Sequence, residues 1–360
     1  MGNNFDKHAI LFKLHSAGMI NQMMSVELAL ALSHVLNRQV CLYNAASNIW
    51  STKEFVPEER KNLFIRSGSP IIFDLIDYPD SANIKLKDAK TLGPSVLKKS
   101  EIIENFPKNY YIRDSNDFNT TEKDFANGRK DFINELYSNF DSKNKHVNFS
   151  RGAFGFYSYV FFNRTKELDK FLAGIKFKKP YTDLAEKIAK SIGDFAGAHI
   201  RLSDNTRVYN LGPKRLNNQV KRSIMSFKRK KKNRNLKLIV STCDNDRVMK
   251  DMGLKCELID TFIKDFEEDF RQLPYRTEEV FGLICLLVMS HAKSFIGTPG
   301  STYSGYINRL RINRGLGDGD LFVTRKEPHH IPTGTYSWQG HKRQWGLHWW
   351  REWPECKLNL

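Results

Sequence analysis

The residues of this chain best suited to chemistry fall in three short stretches, each where an apolar run gives way to a turn. The first is Gly197-Ala198-His199-Ile200-Arg201-Leu202-Ser203-Asp204. Alternation along a strand puts His199 and Arg201 on one face, with the strand ending near Asp204. A guanidinium at such a tip grips two phosphate oxygens in its planar fork. Asp204 then orients that arginine or a substrate hydroxyl, or else the two form a buried pair that braces a loop. The second is Phe295-Ile296-Gly297-Thr298-Pro299-Gly300-Ser301-Thr302-Tyr303-Ser304. Two glycines and several hydroxyls stand between a strand and a helix start, where open backbone N–H groups and the helix dipole make a phosphate site. Ser301 and Thr302 add hydroxyl donors, and Ser301 is equally suited to capping the helix. No lysine follows the last glycine, so the stretch is not a Walker loop. The third is Ser16-Ala17-Gly18-Met19-Ile20-Asn21-Gln22, where Gly18 allows close backbone approach and Asn21 either bonds a ligand or caps a helix.

Strand tips of an α/β fold are the elements that position such residues, because ligands bind beyond the carboxyl ends of parallel strands. The spacing supports that fold. Ile10–Leu14 is a short apolar run, Met24, Leu28, Leu32 and Val35 recur at helical spacing up to Asn37-Arg38, and Val40–Tyr43 reads as a second buried strand. Together they form a βαβ unit. A second series starts near Pro180: a helix over 181–192, strands over 195–200, 237–242 and 258–262, and a long helix over 278–292 capped by Thr277. A strand over 294–297 and a helix over 303–312 closed by Gly315 complete it. Residues 116–148 are polar and read as loops with one helix. The segment from 334 onward is rich in tryptophan. We expect an α/β chain of two Rossmann-like domains facing a cleft: residues 1–175, residues 176–326, and a C-terminal segment 327–360 returning over the join.

Composition narrows the classes. A hydrophobic fraction of 40% with 27% charged residues excludes a disordered or fibrous chain. No apolar run is long enough for a membrane span, and the first residues lack a secretory signal, so a cytoplasmic protein is expected. Five cysteines at unpatterned spacings argue against a disulfide framework and a zinc site. His329-His330 has no third ligand at metal spacing. A net charge of +17 favours anionic partners. Part of it is the run Lys228–Lys232, read as a solvated loop or as a peripheral contact with a membrane or polyanion. No zinc-finger spacing, recognition helix or RNA-binding aromatic signature accompanies it, so specific nucleic-acid recognition is not expected.

Taken in order, these pieces resemble the GDP-fucose-dependent fucosyltransferase superfamily, which includes protein O-fucosyltransferases, α1,6-fucosyltransferases and bacterial relatives. His199–Asp204 resembles that family's H-x-R-x-x-D motif, and Phe295–Ile307 its serine-rich donor loop and helix. Ser16–Gln22 resembles the turn after the first strand, and Ser241-Thr242-Cys243-Asp244 the A-T-D strand end. The resemblance implies a GT-B glycosyltransferase without a cofactor or metal, inverting, with GDP-fucose as donor and a glycan or protein hydroxyl as acceptor. It implies that Arg201 holds the β-phosphate, with His199 beside it. Gly300, Ser301, Thr302 and Tyr303 would hold the diphosphate, Thr242 and Asp244 would lie at the nucleoside, and Gly18, Asn21 and Gln22 would line the cleft. Asp204, Glu27 and His15 are the candidates for the proton acceptor. Two features depart from the pattern: Leu202 stands where many members have a second arginine, and Asp244-Asn245-Asp246 fits the bare D-x-D of metal-dependent transferases. A transferase for another nucleotide sugar, or a non-catalytic glycan- or polyanion-binding protein, is the alternative.

Overall fold

The structure, a computed structural model, describes residues 9–13, 19–43, 72–82, 84–86, 102–103, 146–149, 166–202, 212–243, 247–298, 301–317 and 319–322. These divide into two compact units, with the boundary along the chain between Lys178 and Lys179.

In the first unit, strand β1 (Ile10–Lys13) leads into helix α1 (Met19–Leu36), and Asn37, at φ 47°, turns the chain into β2 (Val40–Tyr43). Asparagine is among the few residues that tolerate this left-handed backbone. Strands β3 (Ile76–Asp77), β4 (Ile84–Leu86), β5 (Ile102–Ile103) and β6 (His146–Phe149) follow, then α2 (Lys166–Ala173) and β7 (Lys176–Phe177). Five strands make a parallel sheet in the order β4-β2-β1-β6-β5, while β3 and β7 pair antiparallel. Strand β6 corrects the end of the reading of 116–148 as loops and one helix: residues 146–148 belong to it, and Val147–Phe149 pair in parallel with Ile10–Phe12 of β1, while residues 116–145 lie outside the described residues. The sequence H-V-N-F alternates over only four residues, too short a stretch to announce a strand.

The second unit begins with α3 (Lys179–Ile192), turned at Gly193, and continues through β8 (Phe195–Ile200), α4 (Pro213–Arg229) and β9 (Lys237–Thr242). Next come a wide π-type turn at Arg247–Asp251, β10 (Glu257–Leu258), α5 (Ile259–Lys264) and α6 (Glu267–Arg271). Helix α7 (Glu278–Met289), β11 (Ser294–Gly297), α8 (Thr302–Asn313) and β12 (Asp320–Leu321) complete it. Thr277 caps α7 by accepting from Val280 N–H. The sheet is parallel throughout, in the order β10-β9-β8-β11-β12.

Burial explains the layers. Ala196, Ala198 and Ile200 of β8 face a core shared with Leu216, Val220, Ile224 and Phe227 of α4. Each leucine, isoleucine, valine or phenylalanine among them contributes about 1.5–3 kcal/mol on burial. On the opposite face α7 lies so close that a Cβ on Gly197 would stand 2.8 Å from Met289 Cε and 2.9 Å from Ala292 Cβ. A strand covered on both sides reads as the continuous apolar run seen over 195–200.

Two expectations need correction here. The segment 258–262 is not a strand, because the chain turns helical at Ile259. Ile259 and Ile263, four residues apart, then both reach the core. Nor is Lys228–Lys232 simply a solvated loop. Lys228 and Arg229 close α4, the Lys228 ammonium donates to Asn233 C=O at 2.9 Å and to Leu236 C=O, and Lys230 pairs with Asp320 at 2.5 Å. Among the described residues, no helix is long and apolar enough to cross a membrane.

Candidate functional site

The strand order of the second unit reverses between β8 and β11, since β8 connects toward β9 on one side and β11 toward β12 on the other. Such a switch point opens a crevice at the carboxyl ends of the two strands. His199 and Arg201 lie at the end of β8, and Thr298 directly follows β11.

Thr298 fastens the two tips together. It is 2% exposed. Its hydroxyl donates to His199 C=O at 2.8 Å and accepts from Arg201 N–H at 3.0 Å. Its own N–H donates to Ser304 Oγ at 3.0 Å. Strand β8 therefore stops at Ile200, short of the expected end near Asp204, because the next N–H is taken by a side chain and not by the sheet. His199 and Arg201 consequently do not share a strand face: the imidazole is buried, while Arg201 lies past the strand and is exposed.

His199 Nδ1 is 2.6 Å from Ser304 Oγ, and its ring lies against the Tyr303 ring with centroids 4.6 Å apart. Ser304 Oγ also accepts from Thr298 N–H, so one hydroxyl joins the imidazole to the β11 tip. Burial, reinforced by the Arg201 charge, pushes the His199 pKa down to about 3. The imidazole is thus a neutral strut at physiological pH. Tyr303 donates its hydroxyl to Gly282 C=O at 2.7 Å, and burial holds that phenol well above its ordinary pKa.

Ser301 caps α8, its hydroxyl accepting from Ser304 N–H at 3.4 Å and its carbonyl from Gly305 N–H at 3.0 Å. Helix α8 can come this near β11 because residue 297 is glycine. A Cβ there would stand 2.8 Å from Ser304 Cβ. The positive end of α8 is thereby locked to the backbone that carries Arg201.

The candidates divide by location. His199, Arg201, Ser301, Thr302 and Tyr303 come together at the β8 and β11 tips, and half-buried Thr242 ends the neighbouring β9, paired with Ile200. Glu27 and Gln22 belong to α1 of the first unit, where both are buried, and Asn21 lies in the same helix. His15, Gly18, Asp204, Asp244, Gly300, the His329-His330 pair and the segment 327–360 lie outside the described residues. Among the described residues, no group of three or more His, Cys, Asp or Glu is arranged to hold a metal ion. Sequence reasoning passed over Thr298, Ser304 and Gly297 as working parts of the site. A threonine after a glycine carries no signal until the strand register brings it against a residue 97 positions away.

No family model matches the chain, and no curated protein does. The solved structures similar to it include fucosyltransferases. The fucosyltransferase NodZ from Bradyrhizobium is 14% identical, with 85% of this chain and 93% of that one covered at a TM-score of 0.47. The α-1,6-fucosyltransferase NodZ soaked with GDP-fucose is 13% identical, covering 85% and 92% at 0.46. POFUT1 in complex with GDP-fucose is 13% identical, covering 89% and 100% at 0.44. Likeness at this level carries no functional argument, and the chemistry has to be read from the chain's own residues.

Proposed function

We propose that this chain is an inverting, metal-independent glycosyltransferase that moves fucose from GDP-fucose to a hydroxyl of a glycan or protein. The second unit is the donor unit in this reading and the first the acceptor-side unit. The observation that carries it is the Thr298 clasp, which fixes the H-x-R turn against the start of α8 at the switch point of a parallel sheet. The motifs on either side of the clasp are those that resemble the fucosyltransferase superfamily.

In the reaction the bond from the sugar's anomeric carbon to the β-phosphate oxygen breaks, and its electron pair leaves with GDP. The acceptor oxygen attacks the opposite face and surrenders its proton to a base. Charge grows on the departing phosphate. Arg201, the Ser301 and Thr302 hydroxyls and the positive end of α8 supply the stabilisation, held in place before the reaction begins. His199 is not the base: a ring with its pKa near 3 and Nδ1 engaged by Ser304 is a weak proton acceptor. The role falls to Asp204, Glu27 or His15.

Arg201→Ala tests the reading. Its side chain is exposed, so the fold survives, while loss of one preorganised donor costs ~3 kcal/mol, roughly a hundredfold in turnover. Normal turnover at saturating GDP-fucose overturns the assignment. Thermal-shift measurements with GDP, UDP, ADP and TDP identify the base: stabilisation by GDP alone supports this donor, another nucleotide transfers the same phosphate chemistry to a different sugar donor, and no response to any of them leaves a glycan- or polyanion-binding protein.

A further inference from the structure

The strongest feature that the transferase reading leaves unused is electrostatic. From residue 205 to 243 the sequence contains twelve lysines and arginines and no acidic residue, so this stretch supplies +12 of the net +17. Helix α4 is its centre. The apolar face of α4, Leu216, Val220, Ile224 and Phe227, is committed to the core of the second unit. On the outer face Arg215, Asn218, Arg222, Met225 and Arg229 follow one another at three- and four-residue steps, and all five are exposed. Three guanidiniums thus stand seven residues apart along one line, which extends over roughly 21 Å at the helical rise. Lys214 flanks the line at its start, and Lys231, Lys232 and Arg234 extend it beyond the helix, all exposed. Lys228 and Lys230 are not part of it, since Lys228 closes the turn after α4 and Lys230 pairs with Asp320.

We propose that this face of α4 docks the protein on an anionic phospholipid bilayer. Two observations select a bilayer over a nucleic acid. Among the described residues, the exposed large hydrophobic side chains are Met225 and Met249, at 43% and 39%. Met225 lies within the arginine line. Met249 belongs to the turn at Arg247–Asp251, whose Val248 packs in the same core cluster as α4. The chain just past that turn approaches α4, since the Lys221 ammonium, one helical turn before Met225, is 3.8 Å from where a Cβ on Gly253 would stand. Flexible apolar side chains among cations suit the boundary between headgroups and acyl chains. Nucleic-acid surfaces instead offer aromatic rings for stacking, and the one aromatic residue between 212 and 243, Phe227, is buried. The flat row of charges matches a planar anionic surface, which attracts each basic residue held near it.

The docking stands independently of the transferase reading, and its test does not depend on activity. The full chain is sedimented with vesicles of phosphatidylcholine alone and of phosphatidylcholine with about 30% phosphatidylserine. Binding is expected only to the second, weakening as salt is raised. The triple variant R215Q/R222Q/R229Q is expected to lower the partition coefficient roughly a hundredfold, at about fivefold for each arginine. Met225→Gln, which leaves every charge in place, is expected to lower it severalfold. All four positions are exposed, so melting temperatures stay at the parent value. A second set, K214Q/K231Q/K232Q, carries the same expectation should the first set melt early. Equal binding to both vesicles, or full binding by a folded triple variant, overturns the proposal. So does a DNA duplex that strips the protein from vesicles while Met225→Gln binds them like the parent.

Discussion

Replacing Thr298 by valine is the sharpest test of how the site is built. The substitution preserves the branched shape, so it opens no cavity and isolates the hydroxyl. Two bonds disappear: the one to His199 C=O, which is buried, and the one from Arg201 N–H, which is partly buried. An orphaned buried acceptor costs about 1–3 kcal/mol and a lost part-buried bond about 0.5–1.5, so we expect a loss of about 2–4 kcal/mol. For a unit of this size that is roughly 5–15 °C in melting temperature. The larger effect is on geometry. Arg201 sits on the released backbone, and a displacement of about 1 Å at a positioned charge lowers turnover about a hundredfold. The assay is a thermal melt beside steady-state turnover with GDP-fucose, run on parent, Thr298→Val and Thr298→Ser. The serine variant keeps the hydroxyl and should retain most of both properties. A valine variant that melts with the parent and turns over normally would refute the clasp.

Other expectations follow from the same neighbourhood. His199, its pKa lowered from 6.5 to about 3, and His291, lowered to about 4 by burial and the nearby Arg314 charge, are both held neutral in the fold. The unfolded chain binds those protons first. Stability is therefore full above pH 6.5 and falls as the pH drops toward 4, by up to about 1.4 kcal/mol per pH unit for each histidine. Denaturant titrations at pH 7 and 5 should show a shallower pH dependence for His199→Gln; an unchanged slope counts against a neutral buried ring. Gly297→Ala drives a Cβ into Ser304 and should destabilise by about 1–3 kcal/mol, read from the midpoint of chemical denaturation, with weaker stabilisation by GDP. Tyr303→Phe loses the bond to Gly282 C=O and the hydrogen-bond interaction with Ser241, and keeps the ring against His199. It should cost about 0.5–1.5 kcal/mol and leave turnover near normal; a collapse of turnover would give the phenol a chemical role that this geometry does not assign.

Much of the α/β framework was legible because strands buried on both faces announce themselves as apolar runs. β9 and β11 were legible at both bounds and β8 at its start, as was the Thr277 cap of α7. What escaped was short or ambiguous. β6 has only four residues of mixed polarity, and β10 passes into α5 without a turn signal. The Ile259–Ile263 spacing of four already favoured a helix over the strand expected across 258–262. The basic run misled in another way. Net charge cannot reveal that Lys228 and Lys230 are spent on internal partners while Arg215, Arg222 and Arg229, seven residues apart, share an outward line. Within the site, Arg201 and the Ser301 cap were visible from residue type. Thr298 was not, since its function exists only through the pairing of two strand ends distant in sequence.

That distance bears on how the protein comes into being. The bonds that fasten His199 and Arg201 span 97, 99 and 105 residues. On a ribosome adding roughly 5–20 residues per second, the N-terminal part of the second unit waits about 5–20 s before Thr298 and Ser304 emerge to meet it. Until the last crossover is made, Arg201 is anchored to nothing across the crevice. On the proposed donor-binding role of Arg201, the growing chain is unable to grip a pyrophosphate prematurely, and competence arrives in one late, non-local step.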